Sequence, residues 1–169
     1  MATFGKTSNG ANTQTFSGDR LYMSQGTPAT SGDITQAKGR CWVSAAASPG
    51  CRAVIYSDTA GVPDVPLARS DEVIINNTTE AEITFPFSGA DLISITAGTP
   101  YWIGFLFDDP GVPNFTMSRD NTVGQVHFMT ATYPTAPNPF VSAGTSNGPI
   151  DMFVEYTEAG GTRRIFNVD

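Results

Sequence analysis

Histidine occurs once in this 169-residue chain and cysteine twice, and Lys, Arg, Asp and Glu together make up only 15% of it. These shortages exclude several kinds of chemistry. Two cysteines, Cys41 and Cys51, with one distant histidine, His127, do not form a recognisable zinc ligand set. A Ser-His-Asp triad would have to use His127, which lies in the strand-like run VGQVHFMT with no nucleophile elbow beside it. The expectation for His127 is a structural histidine. No apolar run approaches the ~20 residues needed to cross a bilayer. The opening MATFGKTSNG lacks a charged segment followed by an apolar one, so the protein is expected to be made in the cytoplasm without a signal peptide. The formal net charge of -7 repels phosphate backbones and anionic lipid, so neither nucleic acid nor membrane is an expected partner. No cofactor is expected.

Turn chemistry is what the chain has in quantity. Gly (17), Pro (12) and frequent Ser, Thr and Asn interrupt each apolar run before it reaches helical length, which predicts an all-β fold of many short strands. In AEITFPF the residues Ile83, Phe85 and Phe87 share one face, as do Tyr101, Ile103, Phe105 and Phe107 in YWIGFLF, and Met152, Val154 and Tyr156 alternate with Asp151, Phe153 and Glu155. Further strands are expected over 20–24, 34–45, 52–57, 72–76, 92–96, 115–118 and 125–130. Strands without intervening helices pack most economically as a two-sheet antiparallel β-sandwich, here expected to be a jelly roll. Residues 1–157 form that domain, and 158–169 a tail or contact arm with a Gly-Gly hinge, Arg163, Arg164 and the apolar Ile165 and Phe166. The Pro- and Gly-rich segment 133–149 is expected to be a long surface loop.

The remaining candidates are few. Cys41 and Cys51 flank VSAAASPG, which reads as a hairpin that sets them opposite each other, either disulfide-bonded or as two buried thiols. Trp42, Trp102 and Tyr133 offer rings on which sugars could stack. Adjacent carboxylates such as Asp108 and Asp109 fit a glycosidase pair by residue type alone, and acids at strand ends more often cap turns. Asn76, Asn77 and Asn114 match the glycosylation pattern, although without a secretory signal they read as turn residues. DTAGVPD (58–64) is echoed by DDPGVPN (108–114), and both read as turns: Asp58 and Asp108 bond backbone amides, Gly61 and Gly111 take positive φ, and Pro63 and Pro113 keep the chain from re-entering the sheet. A calcium site built from Asp58, Asp64, Asp108 and Asp109 would need both turns at the same rim.

Four segments in order, FGKT at 4–7, RAVIYSDTAGVPD at 52–64, ITFPFSG at 83–89 and ITAGTPYWIGF at 95–105, resemble a family of jelly-roll β-sandwich domains found in tailed-phage virion proteins and in some secreted bacterial surface proteins. The resemblance spans most of the chain up to Phe107. It implies a non-catalytic module on the virion surface: a capsid decoration protein binding neighbouring capsid subunits and expected to self-associate as a homo-oligomer, or alternatively a carbohydrate-binding module or receptor-binding fibre or spike domain. Phe4, Arg163, Arg164, Ile165 and Phe166 are the expected partner contacts. No catalytic residue and no enzymatic activity are expected.

Overall fold

The computed structural model describes residues 1–16, 20–43, 48–108, 115–121 and 125–160. Over these the chain is a β-sandwich of two antiparallel sheets, as its composition predicts. The one helical turn among the described residues is a short 3-10 element at Gly89–Asp91, and none is long and apolar enough to cross a membrane. The strands are β1 (Ala2–Gly5), β2 (Asn12–Phe16), β3 (Arg20–Gly26), β4 (Gly32–Val43), β5 (Gly50–Thr59), β6 (Val62–Arg69), β7 (Val73–Ile74), β8 (Ala81–Pro86), β9 (Ser94–Ile95), β10 (Tyr101–Phe107), β11 (Phe115–Arg119), β12 (Gln125–Thr130), β13 (Gly144–Asn147) and β14 (Met152–Glu158).

The first sheet is organised around the long strand β4. On one side β14 pairs with Gly32–Gly39 and β11 with Cys41–Val43, so these two lie end to end and are joined by an Arg119–Ile150 bridge. β1 lies against β14 and β2 against β11, again end to end. β8 and β9 take the other side of β4. At the break between the paired half-strands sits Asp151, its side chain only 2% exposed. Its Oδ2 accepts the Gly10 N–H at 2.5 Å, and Lys6 Nζ stands 3.2 Å from Oδ1 and 3.1 Å from Asp120. A charged pair therefore fastens the N-terminal edge to the middle of the sheet.

The second sheet runs β13-β12-β3-β10-β5-β6, with β7 continuing along β5 beyond β6. Its inner face carries Ile55, Ile103, Phe105 and Phe107, which pack with Phe85, Phe115 and Val154 of the first sheet into the main core. The alternation in YWIGFLF singles out the one face that carries Tyr101, Ile103, Phe105 and Phe107, yet every residue of the strand is buried. Trp102 and Leu106 belong to a second apolar cluster on the outer face, with Leu21, Met23, Val54 and Tyr56. The segment after β12 covers that cluster. Ala131 and Phe140 are buried in it, the Phe140 N–H bonds Asp64 O at 2.8 Å, and Tyr56 Oη donates to Pro137 O at 2.7 Å. The expected surface loop at 133–149 is thus a third layer over part of the sheet, and it contributes the edge strand β13.

The turn reading of DTAGVPD holds in part. Thr59 pairs with Val62, and Ala60 and Gly61 both have positive φ, 54° and 81°, which is the two-residue turn that matches strand twist. Asp58 Oδ2 accepts the Gly61 N–H at 3.2 Å. Pro63, expected to end the strand, lies within β6 and pairs with Asp58. An edge strand tolerates proline because the missing N–H can face away from the ladder.

Candidate functional site

The residues singled out in the sequence do not converge. Asp58 follows Ser57, which pairs with Tyr101, and Asp108 follows Phe107, which pairs with Cys51. The length of β10 separates them, about 20 Å at 3.4 Å per residue. The calcium alternative is therefore corrected: Asp58 and Asp108, two of its four carboxylates, lie at opposite rims of the sandwich. Asp58 is instead committed to its own sheet, where Oδ1 accepts from Trp102 Nε1 and from Gln25 Nε2, both at 2.7 Å. Asp64 accepts from Thr59 Oγ1 at 2.9 Å. Asp109, Asn114 and the rest of the second turn lie outside the described residues, as do Arg163, Arg164, Ile165 and Phe166. Among the described residues no group of three or more His, Cys, Asp or Glu side chains is placed to hold a metal.

Two aromatic candidates are buried rather than presented. Trp102 is fully buried, its indole N–H satisfied by Asp58 and its face met edge-on by His127 at 5.0 Å. Phe4, expected to touch a partner, is 3% exposed and packs against Tyr101 and Tyr156 in the core. Its ring sits there because β1 pairs in the first sheet and directs Phe4 inward. Tyr133 is half-buried on the covering segment and donates its hydroxyl to Glu72, while Glu72 lies 4.0 Å from Arg52. Burial and the bond to Glu72 push the Tyr133 phenol pKa up. Trp42 keeps part of its surface, on the outer face of β4 opposite Thr116.

Cys41 and Cys51 are not partners in a hairpin. β4 belongs to the first sheet and β5 to the second, so the two strands do not pair with each other. Both thiols are free, fully buried and part of the main core. Burial raises both pKa values, which keeps the sulfurs protonated and unreactive.

His127 is 6% exposed, and its Nδ1 lies 3.0 Å from Ser142 Oγ. Ser142 Oγ also donates to Gly144 O at 3.0 Å, so the hydroxyl proton is already directed at a carbonyl and the histidine supplies Nδ1–H. That polarity is the reverse of a nucleophile and its base. Desolvation lowers the His127 pKa, keeping the ring neutral. The pair acts as a clip holding the covering segment to the sheet. No spacing rule pointed to Ser142. The clue to the buried Trp102 was YWIGFLF itself, which is apolar or glycine at every position, the mark of a strand covered on both faces.

One surface feature went unnoticed in the sequence. Val62, Val65 and Leu67 on β6, Ile74 on β7, Leu92 just after the 3-10 turn and Val141 after Phe140 are all exposed, from 37% for Leu67 to 67% for Val141. They are strung along one edge of the second sheet, from Val62 opposite Thr59 to Ile74 opposite Gly50. β6 and β7 share the side of β5, Asp91 binds the Arg69 N–H, and Phe140 binds Asp64. A shallow cleft of about 200 Å³ between Pro66, Leu67, Arg69, Asp91 and Ala136 marks its middle. The apolar residues along β6 and β7 read as core in a sequence, and only the edge position leaves them uncovered. Comparison of the chain with models of protein families and with curated proteins gave no match in either.

Proposed function

We propose that this chain is a non-catalytic structural protein of a virion, a capsid decoration protein that sits on the particle surface and grips neighbouring capsid subunits. The observation that carries the reading is the apolar flank along β6 and β7, where most of the large exposed apolar side chains are gathered on one side of the sandwich. Gathered apolar surface rimmed by polar groups is the mark of a protein contact. The sequence resemblance supplies the setting, and the successive changes of sheet through β3, β4 and β5 and again through β9 to β12 are in keeping with a jelly roll. The test is compositional and then mutational. Gradient-purified particles should contain the protein in fixed proportion to the capsid subunit, and recombinant protein should rebind particles stripped of it. An Ile74→Glu/Leu92→Glu variant, both changes at exposed positions, should keep its melting temperature and lose rebinding. Absence from purified particles, or undiminished binding by the variant, would overturn the reading.

Trp42 favours a second reading, a carbohydrate-binding module or fibre-tip domain. Its partly exposed indole lies beside Arg40 and the hydroxyls of Thr116 and Thr15, which stand 3.2 Å apart. In a Trp102→Phe background Trp42 is the sole tryptophan, and a fluorescence response to a glycan that disappears in Trp42→Ala would favour this reading over the first.

A further inference from the structure

A sandwich leaves backbone hydrogen-bonding groups unpaired at its sheet edges, and most edges here carry a device that prevents a further strand from joining. On β6, Pro63 and Pro66 lack N–H groups, the Asp64 carbonyl accepts from Phe140 N–H at 2.8 Å, and the Arg69 N–H donates to Asp91 at 2.8 Å. β8 ends at Pro86, whose carbonyl accepts the Asp71 N–H, and it carries the charged Glu82. β13 is four residues long, and its Gly144 carbonyl is bound by Ser142. β1 closes at Gly5 against the second sheet, where a Cβ on Gly26 would stand 2.8 Å from Gly5 N.

Among the described residues, β2, NTQTF, carries only one weak device of this kind, the Gln14 side-chain amide donating to the Thr15 carbonyl at 3.3 Å. It contains no proline and no charge, and Thr13 and Thr15 are exposed. The direction of its backbone follows from the sheet. Arg40 N–H is directed at Asp151 and Val43 N–H at Asn77, so alternation along β4 turns the backbone of Trp42 toward its partner Thr116. Thr116 therefore faces β4, and Met117 faces Gln14 of β2. The N–H and C=O groups of Thr13 and Thr15 are left pointing away from the sheet. The neighbouring positions on the outer face, the buried Thr116 and Ser118 and the half-buried Trp42, are uncharged as well, so two copies of net charge -7 can meet here without setting acid against acid.

We propose that β2 pairs antiparallel with β2 of a second copy across a two-fold axis, joining the first sheets of two molecules into one continuous sheet. A two-fold contact brings the same patch of each copy together, as an open antiparallel edge requires. The register with the most overlap centres on Gln14. Thr13 then exchanges backbone hydrogen bonds with Thr15 of the second copy, and Gln14 faces its own counterpart as a pair without backbone bonds. This contact is independent of whatever the β6 flank binds.

The register can be tested directly. Facing residues in a pair of that kind have Cα atoms about 4.5 Å apart, inside the disulfide range of about 4.4–6.8 Å. Gln14→Cys treated with oxidised glutathione should therefore form a covalent dimer, the two thiols giving one disulfide as one glutathione disulfide is reduced to two thiols. Wild type, whose cysteines are fully buried, should not, nor should Thr3→Cys on β1. Thr15→Pro removes an outward N–H that the monomer does not use. It should keep the wild-type circular dichroism and a single cooperative melt, lowered only by loss of the Thr15–Thr116 hydroxyl contact, while sedimenting as a monomer at concentrations where wild type is dimeric. A monomeric wild type, a dimeric and folded Thr15→Pro, or no cross-linking of Gln14→Cys would each overturn the proposal. Should Thr15→Pro misfold, the Gln14→Cys result decides.

Discussion

Removing the Asp151 carboxylate should loosen the N-terminal edge from the sandwich. In Asp151→Ala the Gly10 N–H loses its acceptor, and a buried unsatisfied donor costs about 1–3 kcal/mol. Lys6, with a side chain 10% exposed, loses one of its two carboxylates but keeps Asp120 at 3.1 Å and Ser8 at 2.8 Å. Breaking a buried pair typically costs about 3–5 kcal/mol, and the remaining partners of Lys6 place this case near the lower end, about 3 kcal/mol. Asp151→Asn keeps an acceptor for Gly10 and should cost less than Asp151→Ala. In a double-mutant cycle, Lys6→Met with Asp151→Asn should lose less than the sum of the single changes, since the pair is broken only once. Urea unfolding followed by ellipticity measures all four proteins. A loss under about 1 kcal/mol in Asp151→Ala, or strict additivity in the cycle, would refute the argument that this pair is what fastens β1 and β2.

Other expectations follow from single observations. Ala60 holds a φ of 54° that costs an alanine about 1–2 kcal/mol, so Ala60→Asn should stabilise by about 1 kcal/mol, read as a higher urea midpoint with unchanged slope. Because desolvation lowers the folded-state pKa of His127, the unfolded chain binds more protons from pH 6.5 down to that lowered value. Stability should be fully present above about pH 6.5 and fall as the pH drops through the window, and His127→Gln should flatten that dependence in urea midpoints taken between pH 7.5 and 5. Phe140→Ala should cost about 3 kcal/mol and red-shift the emission of Trp102 beneath the covering segment. Thiol titration of native protein should find no reactive cysteine, and two after unfolding.

The parts of the fold legible in the sequence are those where one face of a strand pays the entropy of ordering by apolar burial. β8, β10 and β14 announce themselves through Phe85, Phe105 and Val154 at alternate positions. β2 and β13, NTQTF and GTSN, have almost no apolar signal because an edge strand is held largely by its ladder, and β6 was hidden by its two prolines. The sheet to which a strand belongs is a non-local matter. Nothing near Cys41 or Cys51 tells that β4 and β5 sit in different layers, so the hairpin inference failed while the alternative of two buried thiols agrees with the structure. Trp102 and Phe4 were candidates for contact because an aromatic side chain looks the same in a sequence whether it is covered or presented. Covering depends here on a segment thirty residues away in the chain for Trp102, and on the first strand's own pairing for Phe4.

The opposed positions of Asp58 and Asp108 give the molecule two poles. The turn at Ala60 and Gly61 closes one end of β5, and Asp108 leaves β10 at the other, its N–H bonded to Gly50 O. A protein seated on a particle by either end would present the other to the medium. Peptides grafted at Ala60–Gly61 would project from the pole remote from Asp108, with the rigid length of the central strands between them. The same scaffold can therefore carry an attachment function and a displayed cargo without one obstructing the other.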